Sequence, residues 1–125
     1  MFSHIMVGTN DLDRAKTFYD AVLGTLGVPP ARVDGHRIFY MTPTGVFSVS
    51  KPIDGKAATV ANGGTIGFAC TSSEQADAWH AAGIANGGAT CEEPPGVRDG
   101  SVGKLYLAYL RDPDGNKLCA LQRMG

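Results

Sequence analysis

The sequence has no long apolar run, no excess of one charge and few cysteines. No apolar stretch approaches the ~18 residues that a membrane-spanning helix needs. Lysine and arginine together number 11 and aspartate and glutamate 12, so the formal net charge is −1. A balance of this kind offers no electrostatic basis for binding nucleic acid or an anionic membrane. We therefore expect neither as a partner.

The three cysteines, Cys70, Cys91 and Cys119, are odd in number and far apart. They include no C-x-x-C pair, which argues against a disulfide framework and against a cysteine zinc site. The N-terminal stretch MFSHIMVGTNDL lacks the basic and apolar regions of a secretory signal. These features favour a cytoplasmic protein.

Short motifs of several enzyme classes are also missing. The chain has no G-x-x-x-x-G-K-[ST], G-x-G-x-x-G, H-E-x-x-H or G-x-S-x-G. Glycine, in contrast, is abundant, at 17 of 125 residues, which is about twice its usual share of ~7%. Many short elements joined by tight connections would explain that abundance.

An internal repeat organises the chain, whose length fits a single domain over 1–125. HIMV at His4–Val7 aligns with TIGF at Thr65–Phe68, an offset of 61 residues from position 4 to position 65. The same offset carries Ala15 onto Ala76 and Phe18 onto Trp79. We expect repeat unit one at about 1–60 and repeat unit two at about 61–125.

Each repeat unit reads as a strand, a helix and three further strands. Asn10 is the expected N-cap of the first helix and Gly24 its end, while Ser72 and Gln75 have the spacing of a capping box in the second. The expected strands lie at 4–8, 31–34, 36–41 and 46–51 in unit one, and at 65–70, 89–93, 105–111 and 116–122 in unit two.

The last two strands of each unit are joined by a similar turn, TPTG at 42–45 and DPDG at 112–115. Proline at the second position and glycine at the fourth predict a type I turn in both. The turns are 70 residues apart (position 42 to position 112), so unit two carries 9 extra residues, which we assign to Glu92–Lys104. The prolines and glycines of that segment predict a loop without regular strand.

A doubled βαβββ unit, a late DPDGN-K-L turn and a histidine in the first strand together resemble the vicinal oxygen chelate superfamily. That superfamily includes glyoxalase I, bleomycin-resistance proteins, fosfomycin-resistance transferases and extradiol dioxygenases. The resemblance covers nearly the whole chain. It implies an α+β fold in which two βαβββ repeat units form a curled mixed β-sheet around a cleft, with the helices outside. It also implies a homodimer, because dimerisation usually completes the cleft.

The resemblance further implies metal ligands at matching positions of the first and last strands of each unit. His4 matches the first position, but Thr65 does not match its counterpart, and Cys119 stands where a glutamate is usual. In unit one, the register of the turn gives Val49, whereas strand alternation favours Ser48. Divalent metals need several convergent donors. We therefore expect no metal cofactor, with a divalent metal held through His4 as the alternative.

Two further roles are open for the candidate residues. Cys119 is a nucleophile if His4 lies close enough to act as its base, or a small apolar residue of a packed strand, which we favour. Arg98 and Lys104 either meet an anionic group or belong to a solvated surface. The expected ligand-binding cleft contains His4, Ser48, Thr65, Cys119, Arg98 and Lys104, and no catalytic residue is assigned.

The function that these observations favour is binding of a small-molecule ligand by a glyoxalase- or bleomycin-resistance-like protein that lacks the usual metal site. One alternative is a metal-dependent lyase-like or dioxygenase-like enzyme with an atypical site centred on His4. Another is a non-catalytic partner subunit.

Overall fold

Two mixed β-sheets and two helices make up residues 1–124, which are the residues that this computed structural model describes. The order of elements is β1 (His4–Gly8), α1 (Leu12–Gly24), β2 (Arg32–Asp34), β3 (Arg37–Thr42), β4 (Gly45–Ser50), β5 (Ile66–Ala69), α2 (Ser73–Ala85), β6 (Ala89–Thr90), β7 (Gly96–Gly100), β8 (Gly103–Arg111) and β9 (Lys117–Arg123). Neither helix has the length and apolar character that crossing a bilayer requires.

Each repeat unit builds its own sheet. The first sheet has the strand order β1-β4-β3-β2, and the second has the order β5-β9-β8-β6, with β7 also paired to β8. The pairs β1–β4 and β5–β9 are parallel and the remaining pairs are antiparallel. The α+β class is thereby confirmed, with the strands divided between a sheet of four and a sheet of five.

The first helix begins one residue later than the sequence predicted. Asp11, and not Asn10, is the N-cap of α1, and its carboxylate accepts the backbone N–H of Arg14 at 3.0 Å. Asn10 is engaged elsewhere, since its amide oxygen accepts the N–H of Ala58 at 2.6 Å. Both residue types make good caps, so this long-range contact decides between them. In α2 the predicted N-cap is confirmed, because Ser72 Oγ accepts the N–H of Gln75 at 3.1 Å.

The hydrophobic core is shared by both units. A chain of aromatic rings runs through it, with centroid distances of 4.9 Å for Tyr19 to Phe47, 5.3 Å for Phe47 to Phe68 and 6.4 Å for Phe68 to Trp79. The two helices pack against each other on one side of the sheets.

Because side chains alternate along a strand, every second residue points away from the helices. We call that side of each sheet its helix-free face.

The segment Glu92–Lys104 contains a strand, so the prediction of an irregular loop was wrong for much of it. Residues of β7 pair antiparallel with the start of β8, and Gly100 lies opposite Gly103. Only Ser101 and Val102 separate that last pair, which makes a tight hairpin. Gly103 has a φ of 113°, a conformation open to glycine, and this allows the chain to reverse there.

The two similar turns have different geometries, which corrects the prediction that the same turn occurs twice. Thr42 pairs with Gly45, so two residues form the first turn. In the second, Arg111 pairs with Lys117 and five residues lie between them. The N–H of Gly115 donates to the carbonyl of Asp112 at 2.9 Å, and the N–H of Asp112 donates to the carbonyl of Asn116 at 2.9 Å.

This difference in the turns decides which residue of β4 corresponds to Cys119. Ser48 lies opposite Met6 of β1, and Cys119 lies opposite Gly67, the residue of β5 that corresponds to Met6 in the 61-residue repeat. Val49, the candidate obtained by counting from the turn, is buried in the core. Strand alternation therefore identified the counterpart correctly, and the five-residue turn explains why counting failed.

Candidate functional site

The two candidate residues of unit one lie on the helix-free face of the first sheet. His4 is exposed at the start of β1, and its Nδ1 is 2.7 Å from the hydroxyl of the adjacent Ser3. Ser48 is fully buried in β4, and its hydroxyl donates to the carbonyl of Ile5 at 3.2 Å. Ser48 therefore already uses its proton within the sheet, whereas the imidazole of His4 is open to solvent.

Cys119 is enclosed on the helix-free face of the second sheet, where it lies between Gly67 of β5 and Tyr109 of β8. Its side chain is 5% exposed. Burial raises the pKa of its thiol to about 11, and the groups that influence it include Tyr109, Glu92 and Lys117. A thiol with this pKa is protonated at neutral pH, which argues against the role of nucleophile. Thr65 lies just before β5 and is exposed.

Tyr109, Lys117 and Glu92 form a polar group beside Cys119. The ammonium of Lys117 is paired with the carboxylate of Glu92 and lies 5.1 Å from the centre of the Tyr109 ring. Glu92 has a φ of 55°, the one positive φ of a non-glycine residue among residues 1–124. This group could not be predicted from the sequence, because its members come from the segment after β6 and from two different strands.

The two predicted cations are separated by the β7–β8 hairpin. Arg98 lies opposite Leu105 and Lys104 lies opposite Asp99, so their side chains leave opposite sides of the sheet. The guanidinium of Arg98 donates to the carbonyl of Pro94 at 2.8 Å. Lys104 is exposed. The pair therefore does not form a single cationic site in this structure.

A cavity of about 440 Å³ lies between the edge strands β1 and β5. Its volume falls within the range of ligand pockets in proteins, roughly 300–1,000 Å³. Of the six candidate residues, His4 alone lines it. The full lining is Met1, Phe2, His4, Ile5, Leu23, Leu26, Val28, Tyr40, Thr42, Thr44, Gly45, Val46, Phe47, Ile66, Gly67, Phe68 and Ala69.

The lining of the cavity contains no aspartate, glutamate, lysine or arginine. Its most polar side chains are the imidazole of His4, the hydroxyls of Thr42 and Thr44, and the phenol of Tyr40. The Tyr40 hydroxyl is already engaged, since it donates to a carboxylate oxygen of Asp20 at 2.8 Å. The Thr42 hydroxyl is engaged as well, since it donates to the carbonyl of Gly45 at 2.7 Å. The side-chain polar groups left for a ligand are therefore the imidazole of His4 and the exposed hydroxyl of Thr44.

Several lining residues could not be identified from the sequence. Leu26 and Val28 follow the end of α1, and Phe68 belongs to the other repeat unit. Phe2, which stands ahead of β1, is 67% exposed, and this exposure is visible only in the structure. A large apolar side chain this open to water is often part of a binding surface.

The residues at the four metal-ligand positions fit a divalent metal poorly. They offer one imidazole, two hydroxyls and a thiol that burial keeps protonated. Such metals are held by several imidazole, carboxylate or thiolate ligands in one place. Within residues 1–124, no three His, Cys, Asp or Glu side chains are grouped so that they could hold a metal ion.

Comparison with protein families and solved structures gives consistent matches. Residues 1–120 match the family model described as Glyoxalase/Bleomycin resistance protein/Dioxygenase superfamily. The crystal structure of a glyoxalase/bleomycin resistance protein from Albidiferax ferrireducens T118 is 67% identical in sequence, with a TM-score of 0.97. That match covers 98% of this chain and 99% of the other. A search of curated proteins found no match.

More distant structures share the fold alone. A glyoxalase/bleomycin resistance protein/dioxygenase family enzyme from Burkholderia phytofirmans PsJN is 16% identical, with a TM-score of 0.74 and 98% of each chain covered. A lactoylglutathione lyase from Agrobacterium tumefaciens is 20% identical, with a TM-score of 0.66, covering 97% of this chain and 93% of that one.

Proposed function

This chain belongs to the Glyoxalase/Bleomycin resistance protein/Dioxygenase superfamily, and from that premise we propose that it binds a neutral, largely apolar small molecule in the cavity beside His4. The single observation that carries the proposal is the cavity itself. It has the volume of a ligand pocket, residues of both repeat units line it, and its lining has no aspartate, glutamate, lysine or arginine.

The absence of acidic side chains, lysine and arginine from the lining supports a neutral ligand. A carboxylate or phosphate placed among Leu23, Phe47 and Phe68 would lose its hydration without gaining a lysine or arginine as partner, which is unfavourable. An apolar body gains by leaving water, and its polar end can meet His4 or the hydroxyl of Thr44.

The donor set at the superfamily's ligand positions supports binding without a metal. Ser48 and Thr65 are weak neutral donors, and the thiol of Cys119 must lose its proton before it can bind a metal. We therefore derive no metal-dependent step for this chain.

A matched pair of fluorescent probes tests the proposal. N-phenyl-1-naphthylamine is neutral, and 8-anilinonaphthalene-1-sulfonate has a similar ring system with a sulfonate added. We expect the neutral probe to bind at one site per chain and more tightly than the anionic probe, measured by fluorescence titration. Equal binding of both probes, or tighter binding of the sulfonate, would contradict the proposal.

Variants locate the bound probe. Val28→Trp places a large ring at the cavity wall and should abolish binding of the neutral probe, whereas Ile84→Trp adds the same ring to an exposed position on α2 that does not line the cavity. If both variants bind the probe as the wild type does, the ligand lies elsewhere. Circular dichroism of each variant checks that it is folded.

A further inference from the structure

The side chain of Arg37 carries a buried donor without a partner. Arg37 stands at the start of β3, opposite Asp34 of β2 and Ser50 of β4. Its Nε is shielded from solvent and makes no hydrogen bond within residues 1–124. The ion pairs of that part of the chain join Arg14 to Asp114, Lys16 to Asp20 and Lys117 to Glu92, so Arg37 belongs to none of them.

A guanidinium with a buried N–H that has no acceptor needs a physical explanation. It is charged at every physiological pH and carries five N–H donors. Buried donors in folded proteins almost always have an acceptor. The other unpaired nitrogen of the described residues, Nε1 of Trp79, is sealed in the core, where no ligand can reach it. Arg37 as a whole is half-buried, so an acceptor from outside can approach the exposed part of its side chain, although Nε itself is shielded.

The protein groups beside Arg37 do not supply that acceptor. The hydroxyl of Ser50 is turned to the carbonyl of Lys51, at 2.7 Å. Asp34 is exposed and forms no ion pair with Arg37. Arg32 adds a second positive charge, because it lies on the same face of the neighbouring strand, opposite Phe39.

Apolar side chains lie next to this charge. Phe39 follows Arg37 by two residues on β3 and faces the same side of the sheet. In the ladder Phe39 lies opposite Ser48, which in turn lies opposite Met6 of β1. Met6 and Met41 are exposed on this helix-free face. One face thus presents a half-buried guanidinium that belongs to none of the ion pairs within residues 1–124, with an apolar floor beside it.

We propose that Arg37 binds the carboxylate of a small organic acid whose apolar body lies against Phe39 and Met6. A single guanidinium matches a carboxylate in charge, and its planar fork matches the two oxygens. A phosphate has no apolar body to lie against Phe39 and Met6, so it should bind more weakly than an organic carboxylate. This site goes beyond the proposed function, because Arg37 does not line the cavity beside His4.

Arginine side-chain NMR tests the proposal directly. The full chain, labelled with ¹⁵N-arginine, is titrated with sodium benzoate, with benzyl alcohol as the neutral analogue and with inorganic phosphate. We expect benzoate to shift the Nε–H signal of Arg37 in a saturable way, benzyl alcohol to leave it in place, and phosphate to shift it less than benzoate. Arg37→Gln identifies the signal by its disappearance and should weaken benzoate binding about tenfold or more.

The control is Arg32→Gln, which removes a positive charge from the same face and should change benzoate affinity less than about twofold. If Arg37→Gln does not fold, Arg37→Lys keeps the charge, removes Nε–H and should also lose benzoate. An unmoved Arg37 signal in benzoate overturns the proposal, as does equal loss in both glutamine variants. A phosphate response as large as that of benzoate overturns the choice of a carboxylate.

A second copy of the chain is the competing occupant of this face. If sedimentation shows that Arg37→Gln dissociates an oligomer, and benzoate neither binds nor dissociates the wild type, then a partner's side chain fills the site and the proposal is wrong.

Discussion

Cys119 shows how the surroundings of one side chain decide its chemistry. It stands where the superfamily resemblance implies a glutamate, and a cysteine at such a position invites the role of ligand or nucleophile. Cys119 lies opposite Tyr109 of β8, with 5% of its surface exposed. Burial is the chief cause that raises the pKa of its thiol to about 11. Both chemical roles need a thiolate, and this environment disfavours one.

We predict that Cys119 reacts slowly with alkylating reagents at pH 8. With a pKa of about 11, roughly one molecule in a thousand carries the thiolate at that pH. The half-buried Cys91 serves as an internal control and should be labelled first. Peptide mass spectrometry after a timed pulse of iodoacetamide measures both sites. Labelling of Cys119 ahead of Cys91 would restore the nucleophile hypothesis.

His4 is the candidate residue whose removal should separate function from stability. Its side chain is exposed and its hydrogen bond is to the adjacent Ser3, so His4→Ala should change the free energy of unfolding by less than about 0.5 kcal/mol. Because His4 lines the cavity, the same change should weaken binding of N-phenyl-1-naphthylamine. Urea unfolding and fluorescence titration measure the two effects. A large loss of stability with unchanged binding would make His4 a structural residue.

At the scale of single residues, prediction from the sequence was correct where it depended on the alternation of side chains along one strand. The alternation of β4 was enough to select Ser48 over Val49 as the residue that faces away from the core. It could not find Arg37, since an arginine at a strand entry is common. What marks Arg37 is that its Nε has no acceptor among residues 1–124, and that depends on where Asp34 and Ser50 point.

Among the elements, the DPDGN turn has a role that its sequence did not reveal. The Tyr19 hydroxyl of α1 donates to Asp112 at 2.5 Å, and Asn116 Nδ2 donates to the carbonyl of Gly8 at 3.0 Å. Asp114 accepts from the Thr9 hydroxyl at 2.5 Å, and from the N–H of Asn10 and the guanidinium of Arg14 at 2.9 Å each. The turn of unit two therefore fastens the connection between β1 and α1 of unit one.

We predict that Asp114→Ala lowers the free energy of unfolding by about 2–3 kcal/mol, because it removes three bonds to a carboxylate that is 3% exposed. The matched control is Thr44→Ala at the corresponding position of the TPTG turn. Thr44 is exposed and its polar contacts are with Thr42, so the cost should stay below about 0.5 kcal/mol. Urea titration compares them. Equal losses would mean that the turn does not fasten the two units.

Most of the helices and strands could be predicted from the sequence, and the errors have local physical causes. Both helices and the strands around the two turns follow from periodicity and capping residues. Strand β7 was not predicted because the prolines and glycines at 94–103 are residue types that usually interrupt a strand. In fact Pro94 and Pro95 precede the strand, and Gly100 and Gly103 form the turn of the hairpin.

At the scale of the whole molecule, the cavity and the core both depend on how the two units meet. The repeat predicted two similar units but carried no information on the gap between β1 and β5. Edge strands that do not pair leave space between them, and here apolar residues from α1, β4 and β5 surround that space. A site formed between two repeat units has no continuous sequence motif. This is why His4 is the one residue of the cavity lining that was predicted from the sequence.

The shared core predicts that the two units unfold together. The rings of Tyr19, Phe47, Phe68 and Trp79 form one chain across both units. The single tryptophan, Trp79, belongs to unit two, so its fluorescence reports on that unit. Phe47→Ala in unit one should cost about 3–5 kcal/mol. If unfolding is one cooperative transition, this change must lower the urea midpoint seen by Trp79 fluorescence by about 1–3 M.

The control for this prediction is Ile53→Ala, since Ile53 also lies in unit one but is 83% exposed and should leave the midpoint in place. Far-ultraviolet circular dichroism, which sees the secondary structure of both units, should follow the same shifted curve as the fluorescence of Phe47→Ala. Suppose instead that half of the dichroism is lost at low urea while the Trp79 transition keeps its wild-type midpoint. Unit two would then be stable by itself, and the aromatic chain would join two domains that fold independently.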